Sequence, residues 1–426
     1  MRRLAIGLCA VICGLSSCVS AKENVKNESA YQDYLVWLDN LKSEMLKKGI
    51  RQETLDKVYG ENDFYHEKPQ AVLHDRKQPE FVFTSADYLN RLVCKERAEQ
   101  AAVKYKENKA LLQKVAQQYA LPAEYLIAFW GAETNFGTTF GGYNVFDALT
   151  EMSYDKRRAK FFTNELYNAL KILQEQKFEP AKMQSSWAGA MGNFQFMPTT
   201  YNKYAVDFNA NGKIDIWDEF DDAAASAANY LTAIGWEKDI PWGWQVELPW
   251  NFDYALSGRD KKQSIAFWKQ KGVQPKDGWG KIKDDVLSAV VTPEGARGEA
   301  YLVTDNFHKI MQWNRSENYA LAIGLLADYA KGKKAWRKIK HNSEHKLKSD
   351  DVKKVQQFIN QRGLAKLDED GTLGSKTKEA IKVLQKEAML PQDGYPSAVL
   401  LDKIANYNPQ TGFTVPIPER KLHKPK

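Results

Sequence analysis

Cysteine is almost missing from the body of this 426-residue chain. Of its four cysteines, Cys9, Cys13 and Cys18 crowd the amino terminus, and only Cys94 stands elsewhere. That excludes a disulfide framework and any zinc site built on cysteine. Long apolar runs are equally scarce. The one sustained stretch, Leu4 to Leu15, is too short for a permanent bilayer span, which needs about 20 residues. Charge of one sign is lacking too. Lys+Arg 61 against Asp+Glu 54 leaves +7, too little and too scattered to mark a nucleic-acid surface. What remains, 43% hydrophobic and 27% charged residues, is the balance of an ordinary globular protein. At about 150 residues per domain, the length predicts two to four domains with real cores.

The amino terminus reads as an address. Arg2-Arg3 followed by the apolar run is a secretory signal. Its end, Leu15-Ser16-Ser17-Cys18, resembles the bacterial lipobox, which implies cleavage before Cys18 and acylation of its thiol and new amino group. Two or more chains give stable membrane anchoring where one does not. The alternative is an ordinary signal peptide cut after Ser20-Ala21. Val19, in place of an acidic residue, implies the outer membrane by resemblance to enterobacterial sorting rules. Residues 1–17 are thus the signal and 18–30 a polar tether.

From Tyr31 the apolar residues recur at helical spacing, as in Tyr34-Leu35-Trp37-Leu38-Leu41. Pro122 opens a helix leading to Glu133, and residues 181–236 read as short helices between Gly- and Asn-rich turns. The stretch 241–303, with its β-branched run Val286–Val291, predicts a small β subdomain, and Tyr319–Ala330 a closing helix. Residues 331–348 form a basic linker. His341 and His345 stand there at i,i+4, a metal-compatible spacing without a third ligand. Residues 349–405 carry a half-repeat: Val352, Val355 and Gln356 before Asp370-Gly371, then Ile381, Leu384 and Gln385 before Asp393-Gly394. The Pro-rich remainder, 406–426, reads as a disordered tail. The fold class is mainly α (α+β).

Three constellations could carry chemistry. Glu133 lies near the end of its helix with Phe129 four residues and Trp130 three residues before it, on or near one face. A carboxyl held against aromatic rings loses hydration, which raises its pKa and suits it to general-acid work. A solvent-facing glutamate of an amphipathic helix is the other possibility. The second constellation is Ser186-Trp187-Ala188-Gly189-Ala190-Met191-Gly192-Asn193-Phe194-Gln195-Phe196-Met197-Pro198. Its small residues allow close backbone approach, and Gln195 offers donor and acceptor to a polar ligand; a tight helix crossing explains the glycines equally well. The third, Asp207 to Asp218, has the spacing of an EF-hand calcium loop. Asp207, Asn209 and Asn211 supply oxygens, Gly212 the sharp turn, Lys213 its carbonyl, and Asp218 the twelfth position. Aspartate there instead of glutamate predicts a weak structural calcium site, with a dissociation constant on the order of 0.1–1 mM.

Together with Arg76-Lys77-Gln78-Pro79-Glu80-Phe81, Trp130-Gly131-Ala132-Glu133-Thr134-Asn135-Phe136-Gly137, Asn229-Tyr230 and Trp313-Asn314-Arg315-Ser316 with Tyr319, these segments resemble the B-type membrane-bound lytic murein transglycosylases. The resemblance spans about 300 residues, roughly 31–330. It implies a lysozyme-like catalytic core, Glu133 as the single catalytic acid, and Ser186, Gln195, Phe196, Tyr230, Trp313, Asn314 and Tyr319 along the sugar sites. Trp313 stands where the family carries tyrosine, a change that keeps an aromatic stacking face but removes a hydroxyl. Residues 349–405 resemble the three-helix peptidoglycan-binding module.

The implied substrate is peptidoglycan, at the β-1,4 bond between N-acetylmuramic acid and N-acetylglucosamine. Ordinary glycosidases use two carboxylates, whereas the recognised motifs offer only Glu133. The resemblance resolves this: Glu133 protonates the leaving oxygen, then receives the proton of the sugar's own C6 hydroxyl as it closes a 1,6-anhydro ring. Asp147 and Asp155 are the candidates for a second carboxylate if the chain is instead a hydrolysing muramidase. A non-catalytic wall-binding lipoprotein is the remaining alternative. The expected setting is the bacterial periplasm, as a lipid-anchored monomer with no nucleic-acid partner and no organic cofactor.

Overall fold

The computed structural model describes residues 16–62, 64–66, 68–76, 84–332, 334–341 and 348–413, with side chains from residue 28 onward. The signal segment up to Leu15, most of the Arg76–Phe81 motif, His345 and the end of the tail lie outside the described residues. The first helix, Ser16–Lys47, corrects the tether: it runs through Cys18 and all of residues 18–30. Ala, Lys and Glu in Ala21-Lys22-Glu23-Asn24-Val25-Lys26 are good helix formers, so a polar composition does not prevent regular structure. No described helix is long and apolar enough to cross a membrane.

The chain folds into two units, Met1–Lys77 with Phe140–Glu219, and Gln78–Thr139 with Phe220–Lys426. In the first, helices Val145–Tyr154 and Ala159–Gln176 pack side by side. The latter buries Phe162, Glu165, Leu166, Ala169, Leu170, Ile172 and Leu173, an amphipathic stripe. It stops at Lys177, which adopts a left-handed conformation. Buried Glu165 accepts the backbone N–H of Thr199 at 2.9 Å and so ties down the start of helix Pro198–Tyr204. A two-stranded antiparallel ribbon, β1 (Tyr143–Asn144) with β2 (Gln184–Ser185), leads into the Gly-rich segment.

In the second unit, helix Ala123–Thr134 is buried on nearly every side. Helix Glu317–Ala330 packs against it and against Lys95–Glu107. Gly324 of this helix leaves room for the Trp242 ring, from which a Cβ there would lie 2.1 Å. The backbone N–H of Trp242 in turn donates to the Tyr125 hydroxyl at 2.9 Å. The β subdomain is a five-stranded antiparallel sheet of β3 (Gly243–Glu247), β4 (Gln263–Ser264), β5 (Gln274–Pro275), β6 (Leu287–Val291) and β7 (Ala300–Val303), in the order β4-β6-β7-β3-β5. Val246, Val290 and Leu302 cover a core with Phe252, Ile265 and Trp268. Pro275, which cannot donate to a ladder, sits on the edge strand.

The carboxy-terminal module is three helices, Ser349–Gln361, Ser375–Glu387 and Ala398–Ala405, around Val355, Ile359, Ile381, Leu384 and Leu400. The half-repeat has a physical basis. Gln356 accepts the Gly371 N–H at 2.9 Å and donates to Asp370, while Gln385 accepts the Gly394 N–H at 2.8 Å and donates to Asp393. One glutamine clamps one Asp-Gly turn in each half.

Two expectations change here. The basic linker is strapped down over its first part: the Trp336 indole donates to the Val93 carbonyl at 2.7 Å, and Ile339 exchanges two hydrogen bonds with Asn90. His341 lies 3.6 Å from Asp87, so it faces a carboxylate. The first residues of the tail are folded too, with Phe413 meeting Tyr407 edge-on at 5.0 Å and packing against the module core. Cys94 is the N-cap of helix Lys95–Glu107 and half-buried.

Candidate active site

Glu133 occupies the last turn of helix Ala123–Thr134. The chain then turns through three consecutive left-handed residues, Asn135 (φ 49°), Phe136 (φ 61°) and Gly137 (φ 75°). Left-handed conformations are costly for a bulky aromatic residue. Phe136 is held there by burial, by its N–H donating to the Trp130 carbonyl at 3.2 Å, and by edge-on packing against the Trp130 ring. Gly131 leaves the room, since a Cβ there would be 2.6 Å from the Phe136 ring.

The Glu133 side chain keeps partial access to solvent in a wall of aromatic rings. The Trp313 indole N–H donates to Oε1 at 3.1 Å, and the Tyr319 hydroxyl donates to the same oxygen. Phe129, fully buried, stacks on Trp313 at 4.4 Å, and Tyr230 meets Trp313 edge-on at 5.1 Å while its hydroxyl donates to the Gln312 carbonyl. Trp130 packs instead on Phe220 and Phe136. Of the two expected aromatic neighbours, Phe129 therefore shares the acid's surroundings.

Burial pushes the Glu133 carboxyl up to about 7, against the opposing pull of the Tyr319 and Trp313 hydrogen bonds. The phenol of Tyr319 is raised by burial and by the neighbouring carboxylate, so it stays a donor. With both donors on Oε1, the proton of the neutral acid resides on Oε2. Trp313 thus keeps a polar interaction with the acid through its indole N–H, although it has no hydroxyl to offer.

Among the other expected residues, Asn314 is exposed and lines a cavity of about 740 Å³ together with Arg315, Ser316, Glu317 and residues of the carboxy-terminal module. Ser186, Gln195 and Phe196 are brought together in the first unit by a bridged loop, with pairings Ser185–Met191 and Met191–Phe196. Gly189 and Gly192, both left-handed, sit where a Cβ would be 2.4 Å from Leu149 and 2.6 Å from the Ile216 carbonyl. The glycines serve this folded loop, and no helix crossing is present in it. The Ser186 hydroxyl accepts the Ala190 N–H at 3.2 Å, and Gln195, itself left-handed, donates to the carbonyls of Phe140 and Gly192. Phe196 is only 3% exposed, so it supports the loop from within and offers no face to a sugar. Asp147 is hydrogen-bonded to His66 at 2.6 Å, and Asp155 is paired with Arg76 at 3.0 Å.

The family model described as the transglycosylase SLT domain matches residues 34–328, and that of a putative peptidoglycan-binding domain matches 348–404. The chain belongs to the B-type lytic transglycosylases. SltB3 from Pseudomonas aeruginosa, solved in complex with NAG-anhNAM-pentapeptide, is 37% identical, with a TM-score of 0.81 over 87% of this chain and 99% of that one. Membrane-bound lytic murein transglycosylase B of Escherichia coli K12 is 28% identical over 296 residues, 65% of this chain and 81% of the relative. Escherichia coli Slt35, solved in complex with calcium, is 27% identical, with a TM-score of 0.58 over 68% of this chain and 91% of that one. As a B-type lytic transglycosylase the protein is an enzyme that acts on peptidoglycan, built on a lysozyme-like fold with a peptidoglycan-binding domain.

In this transglycosylase the Asp207 loop differs in one respect from the EF-hand template. Asp218 is exposed, and its backbone N–H donates to Asp215 at 3.0 Å. Glu219, one position later, accepts hydrogen bonds from the amides of Asn209 at 2.6 Å and Asn211 at 2.9 Å. Asp207 Oδ1 and Asn209 Oδ1 share the Asn211 N–H, and Asp207 Oδ2 takes that of Gly212. The Lys213 ammonium is turned aside to buried Asp215 at 2.8 Å and to the Phe178 ring. Burial alone would raise the Asp215 carboxyl, but Lys213 and the N–H groups of Asp218 and Trp217 outweigh it and hold it low. The asparagine and carboxylate groups gathered here fit a hard, oxygen-ligated cation. Glu219, which meets both asparagines, lies one position past a strict twelve-residue template.

Proposed function

We propose that this enzyme cleaves the β-1,4 bond between N-acetylmuramic acid and N-acetylglucosamine without water, with Glu133 as acid and then base. Oε2 gives its proton to the bridging oxygen as the bond to C1 breaks, and the muramic N-acetyl group stabilises the cationic C1. The C6 hydroxyl then attacks C1 and returns its proton to Glu133, closing a 1,6-anhydro ring. An intramolecular nucleophile has high effective molarity, so no second carboxylate is required. The observation that carries this reading is the pairing of two donors on Oε1 with a carboxyl raised to about 7. The anhydro sugar in the SltB3 complex is of the same product class. Ser186 and Gln195 are read as sugar contacts of the first unit. Muropeptides released from purified wall are expected to end in anhydromuramic acid by mass spectrometry. Reducing ends, one water heavier, would establish hydrolysis instead.

Calcium is the proposed occupant of the Asp207 loop, with Asp207, Asn209, Asn211, the Lys213 carbonyl and Glu219 as its ligands. Its contribution is structural, tying the Asp207 end of the loop to Glu219. The calcium complex of Slt35 supports the choice of ion. EDTA is expected to lower the Tm of the wild type on the order of 5 °C. Glu219→Ala removes that response, and Asp218→Ala retains it. An EDTA-insensitive wild-type Tm rejects the site.

The lipobox-like ending at Cys18 and the membrane-bound relative support a lipid-anchored protein in the periplasm, at the outer membrane. Acylation at Cys18 would put the anchor at the start of helix Ser16–Lys47.

A further inference from the structure

The peptidoglycan-binding module is docked by specific contacts and not merely linked by chain. Lys382, 7% exposed, donates to the Ser257 carbonyl, and the Ala296 N–H donates to Asp393 at 2.8 Å. Gly295, left-handed at φ 74°, lies so close to Tyr395 that a Cβ there would be 2.6 Å from the Tyr395 Cβ. Lys261 pairs with Glu379 of the module at 3.0 Å.

One further contact differs in where it leads. The Lys378 ammonium lies 3.1 Å from Glu317, and both side chains are largely covered, at 25% and 20% exposure. Glu317 is the first residue of helix Glu317–Ala330, and the hydroxyl of its N-cap Ser316 accepts the Tyr319 N–H at 3.2 Å. Tyr319, within that first turn, donates to Glu133 Oε1.

The first turn of a helix is its least secured part, because its N–H groups lack intrahelical partners. An acid there is favoured by the helix dipole, and Lys378 fixes where that acid points. The other charged or titratable groups acting on Glu317 are Arg259 and His308. Neither belongs to the module, so Lys378 is the module's own contribution.

We propose that Lys378 is a positioning residue for the catalytic acid: by holding Glu317 it sets the turn that presents the Tyr319 hydroxyl to Glu133. This rests on the reading of Glu133 as the acid. It makes the wall-binding module part of the catalytic apparatus, so that a module properly seated yields a better-aligned acid. The pair is partly exposed, which limits its strength, but acid–base geometry is sensitive to displacements of about an ångström.

The test uses the full chain and a short, uncross-linked glycan as substrate. Lys378→Met keeps the aliphatic stem and removes the charge. It is expected to lower kcat about three- to tenfold and to move the upper limb of the pH profile to higher pH, because the Tyr319 hydrogen bond favours ionised Glu133. Lys378→Arg restores both. Lys261→Met breaks a docking pair that does not reach the helix and leaves kcat unchanged. Binding to sedimented wall is retained in all three. Unchanged kcat and pH profile in Lys378→Met overturn the proposal. So does an equal loss in Lys261→Met, which would mean docking in general, or an effect confined to KM on whole wall. Glu133→Gln run in parallel separates the two readings: activity in that variant fails the acid assignment, whereas its inactivity beside a fully active Lys378→Met fails only the positioning.

Discussion

Glu133→Gln is expected to lose wall-cleaving activity by at least about 10³-fold while keeping its Tm and its binding to peptidoglycan. The amide is nearly isosteric, and its oxygen accepts the indole and phenol hydrogen bonds that Glu133 Oε1 accepts now. What it lacks is a proton to give at Oε2. General acid catalysis alone is worth about 10²–10⁴-fold, and here one group serves both the departure of the leaving sugar and the closure of the ring. No water-derived route is expected to take over. The two carboxylates that could position water, Asp147 and Asp155, are held by His66 and Arg76. Binding should persist because the peptidoglycan-binding module has its own core around Val355, Ile381 and Leu400. Measurement of soluble muropeptide release against sedimented-wall binding decides it. Activity above about one per cent of wild type, given that magnitude, removes Glu133 from the mechanism.

Much of this site was legible in the chain because its signals are local. Helical spacing put Phe129 and Glu133 together, and the run Asn135-Phe136-Gly137 marked the break that follows, which is realised as three left-handed residues. The half-repeat in the carboxy-terminal module was readable for the same reason: a glutamine must reach a turn only 15 and 9 residues away. What was not legible depends on distant partners. Tyr319 lies 186 residues from Glu133, and no spacing could reveal that its hydroxyl and the Trp313 indole choose the same oxygen. Phe196 was placed along the sugar sites by resemblance alone, and only the folded loop around Gly189 and Gly192 shows that its ring is buried. In the basic stretch, Trp336 and Ile339 were the overlooked sign of packing, since a freely solvated linker has no use for either. Glu219, one residue past the twelve-residue template, is the carboxylate that meets Asn209 and Asn211.

The pH dependence of kcat/KM is expected to follow the same geometry. Glu133 must be protonated to act as acid, so activity is full below a pKa of about 7 and falls as pH rises through it, tenfold per pH unit well above it. Tyr319→Phe deletes a donor that favours the charged form, leaving burial, which opposes it, and the weaker indole contact at 3.1 Å. A hydrogen bond to a charged group is worth about 1.5–3 kcal/mol, so the upper limb should move to higher pH by about one unit or more. The plateau rate should fall together with that shift, by about tenfold. The carboxylate produced by proton transfer loses its phenol partner, and the acid loses the hydrogen bond that aims it. An upward shift with a lower plateau is the signature of a donor that stabilises the product of proton transfer. A lower plateau with an unmoved limb would show that Tyr319 only packs. A limb moved to lower pH would mean that its hydroxyl stabilises the neutral acid, with the shared Oε1 acceptor no longer able to explain where the proton sits.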